Sequence, residues 1–364
     1  MLDATYAGAE AALGEEIARA CASKTPVRII GGGTRATIGK PVTDAAILST
    51  NDLNGVSLYE PGALTIVAGA GTPLAEIEAT LDAEKQRLPF EPMDHCGLLG
   101  TSGAPTIGAV VAGNISGPRR IQAGACRDSM LGVRFIDGRG DVIMNGGRVM
   151  KNVTGYDLVK LMTGSWGTLG VLTEVALKVQ PAPEASATLS LTGLDDATAV
   201  AALSAALGSP YDINGAAHAQ GRTLVRIEGF NSQIAHRVPA LVKALAPFGT
   251  AAVVEGAESD TLWRDVRDVT PFHGQTGAVW RVSVKPTDGP KLVEALRSGG
   301  DVDALYDWGG GLVWLQLPDE ADAGASAIRA ETKRLGGHAT LIRASEATRA
   351  AVSVFEPEAA PIAA

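Results

Sequence analysis

Apolar positions in the first half of the chain come in short runs that end in glycine-rich turns. Val27-Arg28-Ile29-Ile30 reads as a short buried strand and leads into Gly31-Gly32-Gly33-Thr34-Arg35. Ile66-Val67-Ala68 leads into Gly69-Ala70-Gly71-Thr72-Pro73, ahead of a helical pattern over residues 75–81. The third turn, Gly164-Ser165-Trp166-Gly167-Thr168-Leu169-Gly170, opens a strand over residues 171–179. Upstream, Leu13, Ile17 and Ala20 share one side of a helix predicted over residues 10–22, which Pro26 stops. Further strands are predicted at 45–49, 56–58 and 64–68, with a hairpin over 132–136 and 141–144 around Asp137-Gly138-Arg139-Gly140. Residues 151–162 read as a turn and a short helix. The glycine-rich stretch 97–124 shows no periodicity and is expected to be an irregular segment lining a site.

The pattern changes after Pro181-Ala182-Pro183. Strands are predicted at 187–191, 224–229, 279–285 and 312–317, alternating with helices at 197–207, 232–246, 290–297 and 321–335. This predicts an α+β layered domain of ferredoxin-like type. No internal repeat of fixed period stands out. The expected division is residues 1–181, 182–345 and an alanine- and proline-rich tail, 346–364, read as partly disordered.

The 364 residues suit two domains, and 46% apolar with 20% charged residues is globular composition. A net charge of −9 (31 basic, 40 acidic) with no basic cluster beyond Arg119-Arg120 argues against a nucleic-acid binder. Cys21, Cys96 and Cys126 lack metal-ligand spacing, which predicts a reducing compartment, buried thiols and no metal or iron–sulfur site in this chain. No secretory signal and no membrane-length apolar run are read from the sequence.

Glycine turns bring backbone N–H groups close to a ligand, and successive amides form a concavity suited to a diphosphate. Gly31, Gly32, Gly33 and Thr34 supply such donors with no carboxylate nearby, and Gly69, Gly71 and Thr72 are expected to do the same. Neither turn has the G-x-G-x-x-G spacing of a nicotinamide site. Three turns in half a chain suggest a long dinucleotide such as FAD. Gly108, Ala109, Ala112, Gly113, Gly164 and Gly167 are small enough to let a flavin ring approach the backbone. Ser116, Arg119, Arg120 and Arg127 are candidate donors to its pyrimidine end, the arginine pair being as compatible with a solvated surface. Gly32→Asp is expected to abolish FAD retention.

These turns, together with Thr106-Ile107-Gly108-Ala109 and Gly155-Tyr156-Asp157-Leu158, resemble the vanillyl-alcohol-oxidase (PCMH) type of FAD-binding domain. Val149-Met150-Lys151-Asn152-Val153-Thr154, Gly117-Pro118-Arg119-Arg120, Arg127-Asp128 and Leu262-Trp263-Arg264-Asp265-Val266 are similar to the FAD-binding subunit of bacterial glycolate oxidase. The resemblance implies an α+β PCMH-type domain of two subdomains followed by a smaller ferredoxin-like cap domain. It implies cofactor contacts from Gly31, Gly32, Gly33, Thr34, Arg35, Gly69, Gly71, Thr72, Thr106, Gly108, Ala109, Gly113, Arg127, Gly164, Gly167, Gly170 and Val171. No histidine lies in Gly31–Arg35, so non-covalent FAD is expected, with His95 and Cys96 read as a surface loop pair.

Catalytic relatives carry a histidine- and acid-rich constellation that is reduced here to His338, and no catalytic residue is assigned. Relatives usually end in a segment that returns towards the flavin, which this chain lacks. The implied role is an electron-relaying subunit beside a catalytic flavoprotein subunit and an iron–sulfur subunit, acting on a small 2-hydroxy acid. Its expected location is the cytoplasm, or the inner face of the membrane through its partners. Two other readings stand beside it. One is a self-sufficient oxidase in which Arg127 or His273 orients substrate, and the other a non-catalytic assembly subunit.

Overall fold

The computed structural model of the chain describes residues 6–147, 155–320 and 322–357. The block Val149-Met150-Lys151-Asn152-Val153-Thr154, and residues 358–364 of the expected tail, lie outside the described residues. The chain divides into two compact units. The first is Met1–Ala36, Val42–Cys96 and Thr101–Ala182; the second is Thr37–Pro41, Gly97–Gly100 and Pro183–Ala364.

The first unit runs α1 (Ala7–Ser23), β1 (Val27–Ile30), β2 (Ala46–Ser49), β3 (Val56–Glu60), β4 (Thr65–Gly69), α2 (Leu74–Asp82) and β5 (Gln86–Arg87). The short helix α3 (Cys96–Leu99) follows, its residues 97–99 belonging to the second unit, and the first unit resumes with α4 (Ile107–Ala112), α5 (Arg120–Ala123) and α6 (Cys126–Ser129). Then come β6 (Met130–Ile136), β7 (Val142–Gly146), α7 (Leu158–Met162), β8 (Val171–Lys178) and β9 (Gln180–Pro181). The stretch 97–124, expected to be irregular, therefore holds helical turns too short to show a period. β1 and β2 pair in parallel, and a five-stranded antiparallel sheet has the order β3-β4-β8-β6-β7. β8 is central, so its residues are buried on both faces. One face is covered by Ile77, Leu81, Ile107, Val110 and Val111 of α2 and α4; Leu13 and Ile17 of α1 join Ile136 and Val171 in a second cluster.

Under α1 lies a buried charge network. Glu10, 4% exposed, takes Arg134 Nε on both carboxylate oxygens (2.7 and 2.9 Å) and the Thr173 hydroxyl (2.6 Å). A carboxylate and a guanidinium that satisfy each other here offset the desolvation each suffers.

The second unit has one eight-stranded antiparallel sheet. Its elements are β10 (Ala185–Thr192), α8 (Asp196–Leu207), β11 (Ile213–Ala219), β12 (Arg222–Gly229), α9 (Asn231–Leu245), β13 (Ala252–Glu255) and α10 (Gly256–Asp268). They are followed by β14 (Ala278–Ser283), α11 (Gly289–Arg297), β15 (Asp303–Asp307), β16 (Leu312–Leu317), α12 (Ala325–Leu335), β17 (His338–Arg343) and α13 (Glu346–Ala351). The order β13-β10-β12-β11-β15-β16-β14-β17 contains two β-α-β-β-α-β halves, each arranged as in a ferredoxin-like fold. They share the seam between β11 and β15, where His218 faces Tyr306. An internal duplication is thus present although the sequence shows none, and the domain expected to be a small cap carries two ferredoxin-like halves.

Polar groups close the seam. Asp196 accepts the Tyr306 hydroxyl (2.8 Å) and Arg297 Nη1 (2.7 Å), and lies 3.6 Å from His218 Nε2. His218 Nδ1 meets the Thr223 hydroxyl at 2.9 Å. Burial lowers the His218 pKa, against the pull of Asp196. The start of the expected tail is packed: α13 follows β17, Val354 is buried, and Glu356 caps the Ala339 amide at 2.9 Å.

Breaking the Glu10–Arg134 pair from one side leaves a half-buried guanidinium without its ion-pair partner and the buried Thr173 hydroxyl without its acceptor. Glu10→Ala is expected to cost about 1–3 kcal/mol, measured by chemical denaturation.

Candidate functional site

The site is best built outward from α4. Thr106 occupies the N-cap position of its six residues without a side-chain cap bond, and Ile107, Val110 and Val111 are fully buried. At its start, Ile107 N donates to Thr72 O (2.9 Å) and Gly108 N to Ala70 O (2.8 Å), which locks the helix to the second turn. A Cβ on Gly108 would stand 2.6 Å from Ala70 Cβ, so the contact requires glycine. At its end, Trp166 N donates to Ala112 O (2.9 Å) and Gly164 N to Val111 O (3.1 Å), which holds the third turn. Thr106 Oγ1 would lie 2.4 Å from a Cβ on Gly31, so the cap of α4 presses on the first turn. A Cβ on Gly167 would reach Ile29 Cδ1 at 2.8 Å, one strand residue from that turn's start. The three turns therefore converge on one short helix within the first unit.

They differ in how their backbone donors are used. In the second turn every amide is committed: Gly69 N to Gly55 O (3.0 Å), Ala70 N to Thr173 O (2.9 Å), Gly71 N to Leu53 O (2.8 Å) and Thr72 N to Gly69 O (3.0 Å). The Thr72 hydroxyl donates to Gly69 O at 2.7 Å. Glycine is needed here because a Cβ on Gly69 or Gly71 would strike Leu53 O or Thr50 O, at 2.3 and 2.0 Å. The expectation that Gly69, Gly71 and Thr72 offer donors to a phosphate is thereby corrected: they anchor α4.

The first turn is the opposite. Among the described residues, the amides of Gly31, Gly32, Gly33, Thr34 and Arg35 donate to no protein acceptor. Carbonyls of the same turn are used: Gly33 O accepts Ala36 N (3.1 Å) and Thr34 O accepts the Thr101 hydroxyl (2.8 Å). The peptide groups are held from the acceptor side, and the donors are left over. Gly32 faces protein, since its Cβ would fall 1.7 Å from Ala104 O. Gly32→Asp therefore tests packing, not charge. Gly33, at φ +74°, has nothing within 4 Å of its Cβ position.

Arg35 adds a cation. Its Nε donates to His95 Nδ1 (3.2 Å) and its Nη2 to Met93 O (3.1 Å), while the buried Nη1 has no partner. Burial pushes its pKa down to about 10, against the pull of Asp94, so it remains cationic at neutral pH. Thr106 Oγ1 and, in the third turn, Ser165 Oγ are also buried without a partner. Each such atom costs about 1–3 kcal/mol until a ligand satisfies it. Residues 27–43 carry Arg28, Arg35 and Lys40 and no acid. Unspent amides, a guanidinium edge and hydroxyls form a donor set that fits a diphosphate.

Other candidates fall elsewhere. Arg119 is not a solvated surface residue: it is 5% exposed, and its Nη2 pairs with Glu91 at 3.0 Å. Ser116 Oγ accepts Cys126 N (2.9 Å). Arg127 is pinned through its backbone, N to Asn114 Oδ1 at 3.0 Å, and its side chain is exposed. Ala109 and Gly113 lie on α4 and at its end, with Trp166 Cη2 3.3 Å from a Cβ on Gly113. Gly170 and Val171 start β8 beside Ile136. His95 is buried against Arg35, which corrects its reading as a surface residue; no local sequence pattern signals this contact across 60 positions. Cys21 is exposed and Cys96 half-buried, so of the three only Cys126 is a buried thiol, its pKa raised by burial. His273 Nε2 meets Asp268 O at 2.7 Å in the second unit, His218 lies at the seam, and His236 and His338 are exposed.

Residues 5–145 match the family described as FAD binding domain. The chain is 36% identical over 354 residues, 96% of its length and 90% of the relative's, to glycolate oxidase subunit GlcE of Escherichia coli (strain K12). It is 29% identical over 167 residues to glycolate oxidase subunit GlcD of Bacillus subtilis (strain 168), spanning 46% of this chain and 34% of that protein. Among solved structures, alkyldihydroxyacetonephosphate synthase shares the fold at TM-score 0.65 and 16% identity, over 89% of this chain and 70% of that one.

Adding a methyl group where α4 meets the second turn should separate them. Gly108→Ala is expected to cost about 1–3 kcal/mol by chemical denaturation and to lower bound flavin, read from the ratio of visible to ultraviolet absorbance.

Proposed function

The chain belongs to the family of the glycolate oxidase subunit GlcE, and from that membership we propose that it is the FAD-binding subunit of a glycolate oxidase complex. In this reading it relays electrons from the oxidation of a small 2-hydroxy acid, glycolate being the substrate that the family names carry. The observation that supports it most is the unequal use of backbone amides: Gly31–Arg35 unspent, Gly69–Thr72 fully spent.

In this reading the diphosphate of FAD rests on the amides of Gly31, Gly32, Gly33, Thr34 and Arg35. The Arg35 guanidinium edge and the Thr106 hydroxyl complete its donor set. Ser165, Gly108, Ala109, Gly113, Gly164, Gly167, Gly170 and Val171 border the rest of the cofactor, and Arg127 offers an exposed cation. Gly69, Gly71 and Thr72 act one step removed, by holding α4. FAD, when bound, supplies a redox centre that accepts and passes on electrons. The protein's part is to bind it, neutralise its phosphates and keep water from them. The Nδ1 lone pair of His95 is taken by Arg35, and Gly31–Arg35 carries no histidine, so the cofactor is held without a covalent bond.

A relay role suits a chain whose histidines are dispersed over separate contacts, because proton abstraction needs a base within reach of substrate. The partners in this reading are a catalytic flavoprotein subunit and an iron–sulfur subunit. No helix among the described residues is long and apolar enough to cross a membrane. The complex is then cytoplasmic, or held at the inner membrane face by a partner.

Two experiments test the reading. The purified chain should carry flavin that acid precipitation releases, and glycolate-dependent dye reduction should appear only on co-expression with the partner subunits. A colourless chain, or full activity without partners, contradicts it. Gly33 isolates the phosphate contact, since Asn and Asp both tolerate positive φ and differ in charge. Gly33→Asn should keep its flavin and Gly33→Asp should bind FAD at least tenfold more weakly; equal affinities would overturn the assignment of the first turn.

A further inference from the structure

A second set of orphaned polar atoms lies in the second unit. Arg343, at the end of β17, is held by three backbone carbonyls: Nε donates to Gly277 O (3.1 Å) and Nη1 to Phe272 O (2.7 Å) and Leu98 O (3.0 Å). Its Nη2 is buried with no partner among the described residues. None of these acceptors is a carboxylate, so the guanidinium charge is fixed in place and uncompensated. Burial accordingly lowers the Arg343 pKa, with no opposing acidic group.

Gln316, on β16, mirrors it. Its Nε2 donates to Gln275 Oε1 (2.8 Å) and Thr276 O (3.0 Å), which fixes the amide orientation, since a flipped amide would set oxygen against oxygen. Its Oε1 is then a buried acceptor with no partner. Both residues pair with Val279 of β14, Gln316 from one side and Arg343 from the other. The β14–β17 register shifts beside this pair, between Val279 and Trp280, so the loop they share, not an unbroken ladder, relates the two residues. Both also grip the loop 272–277: Arg343 takes Phe272 O and Gly277 O, and Gln316 takes Gln275 Oε1 and Thr276 O. One loop thus orients a buried cationic donor and a buried neutral acceptor.

A ligand that satisfies both needs an anionic oxygen for Arg343 and a hydroxyl hydrogen for Gln316. We propose that Arg343 and Gln316 form a binding site for a small 2-hydroxycarboxylate in the second unit of this subunit. The carboxylate accepts from Arg343 Nη2, and the 2-hydroxyl donates to Gln316 Oε1. The choice of ligand class rests on the function proposed above; the site rests on the two unpaired atoms. No bond is made or broken here, so the site is a recognition site, wherever in the complex oxidation occurs.

The test is equilibrium binding of glycolate, acetate and glycolamide to the full chain carrying its flavin, under anaerobic conditions. The wild-type chain should bind glycolate at least tenfold more tightly than acetate, which lacks the hydroxyl, or glycolamide, which lacks the charge. Arg343→Gln should weaken glycolate at least tenfold. Arg343 also pins three carbonyls, so Gln316→Met serves as the second variant: it should bring glycolate down to the affinity of acetate without weakening acetate. Flavin content is read in every sample. A yellow wild-type chain that binds no glycolate, or variants that bind it unchanged, overturns this proposal and leaves the FAD assignment standing. A colourless chain that still binds glycolate through Arg343 supports this site and removes the FAD assignment.

Discussion

Two backbone hydrogen bonds, Ile107 N to Thr72 O and Gly108 N to Ala70 O, carry the organisation of the candidate cofactor site. They dock a six-residue helix on the second turn, at a distance that no side chain larger than hydrogen at Gly108 permits. The third turn then hangs from the carbonyls of Val111 and Ala112, and the Thr106 cap meets the first turn. A helix this short has little stability of its own. It persists because Ile107, Val110 and Val111 are buried under the sheet and both its ends are bonded to neighbouring turns.

That arrangement separates two uses of glycine which look alike in a sequence. Gly69 and Gly71 are small because carbonyls of Leu53 and Thr50 press on them, and their amides are consumed in holding the turn. Gly31 and Gly32 are also small for packing, against Thr106 and Ala104, yet this packing leaves their amides unspent. The ligand-facing chemistry is therefore a by-product of which peptide edge the neighbouring segment covers. Arg35 extends it, since its guanidinium is anchored by His95 and Met93 with one nitrogen left over.

Much of this was legible in the residues. The glycine turns, the strands leading into the first two and out of the third, and the helix over Leu13 and Ile17 all rest on local periodicity, which a sequence carries directly. What could not be read was long-range. Whether Gly33 N or Gly71 N has a partner depends on segments far along the chain. His95 looked like a surface residue because its partner is Arg35, 60 positions away. The helices within 97–124 were hidden by their length, and the repeated β-α-β-β-α-β order of the second unit by the lack of a matching sequence period. β11, β13, β15 and β17 were missed where alanine, aspartate and histidine dilute the strand pattern. The two halves meet at a polar seam, His218, Asp196, Tyr306 and Arg297, whose members are scattered through the sequence.

The central claim, that the first turn and not the second carries the donors for the diphosphate, is tested most directly by amide hydrogen exchange with and without bound FAD. On loading the cofactor, amides of Gly31–Arg35 should become strongly protected, while those of Gly69–Thr72, already bonded, should exchange at the same slow rate in both states. Unchanged exchange at Gly31–Arg35, or new protection confined to Gly69–Thr72, would contradict the account.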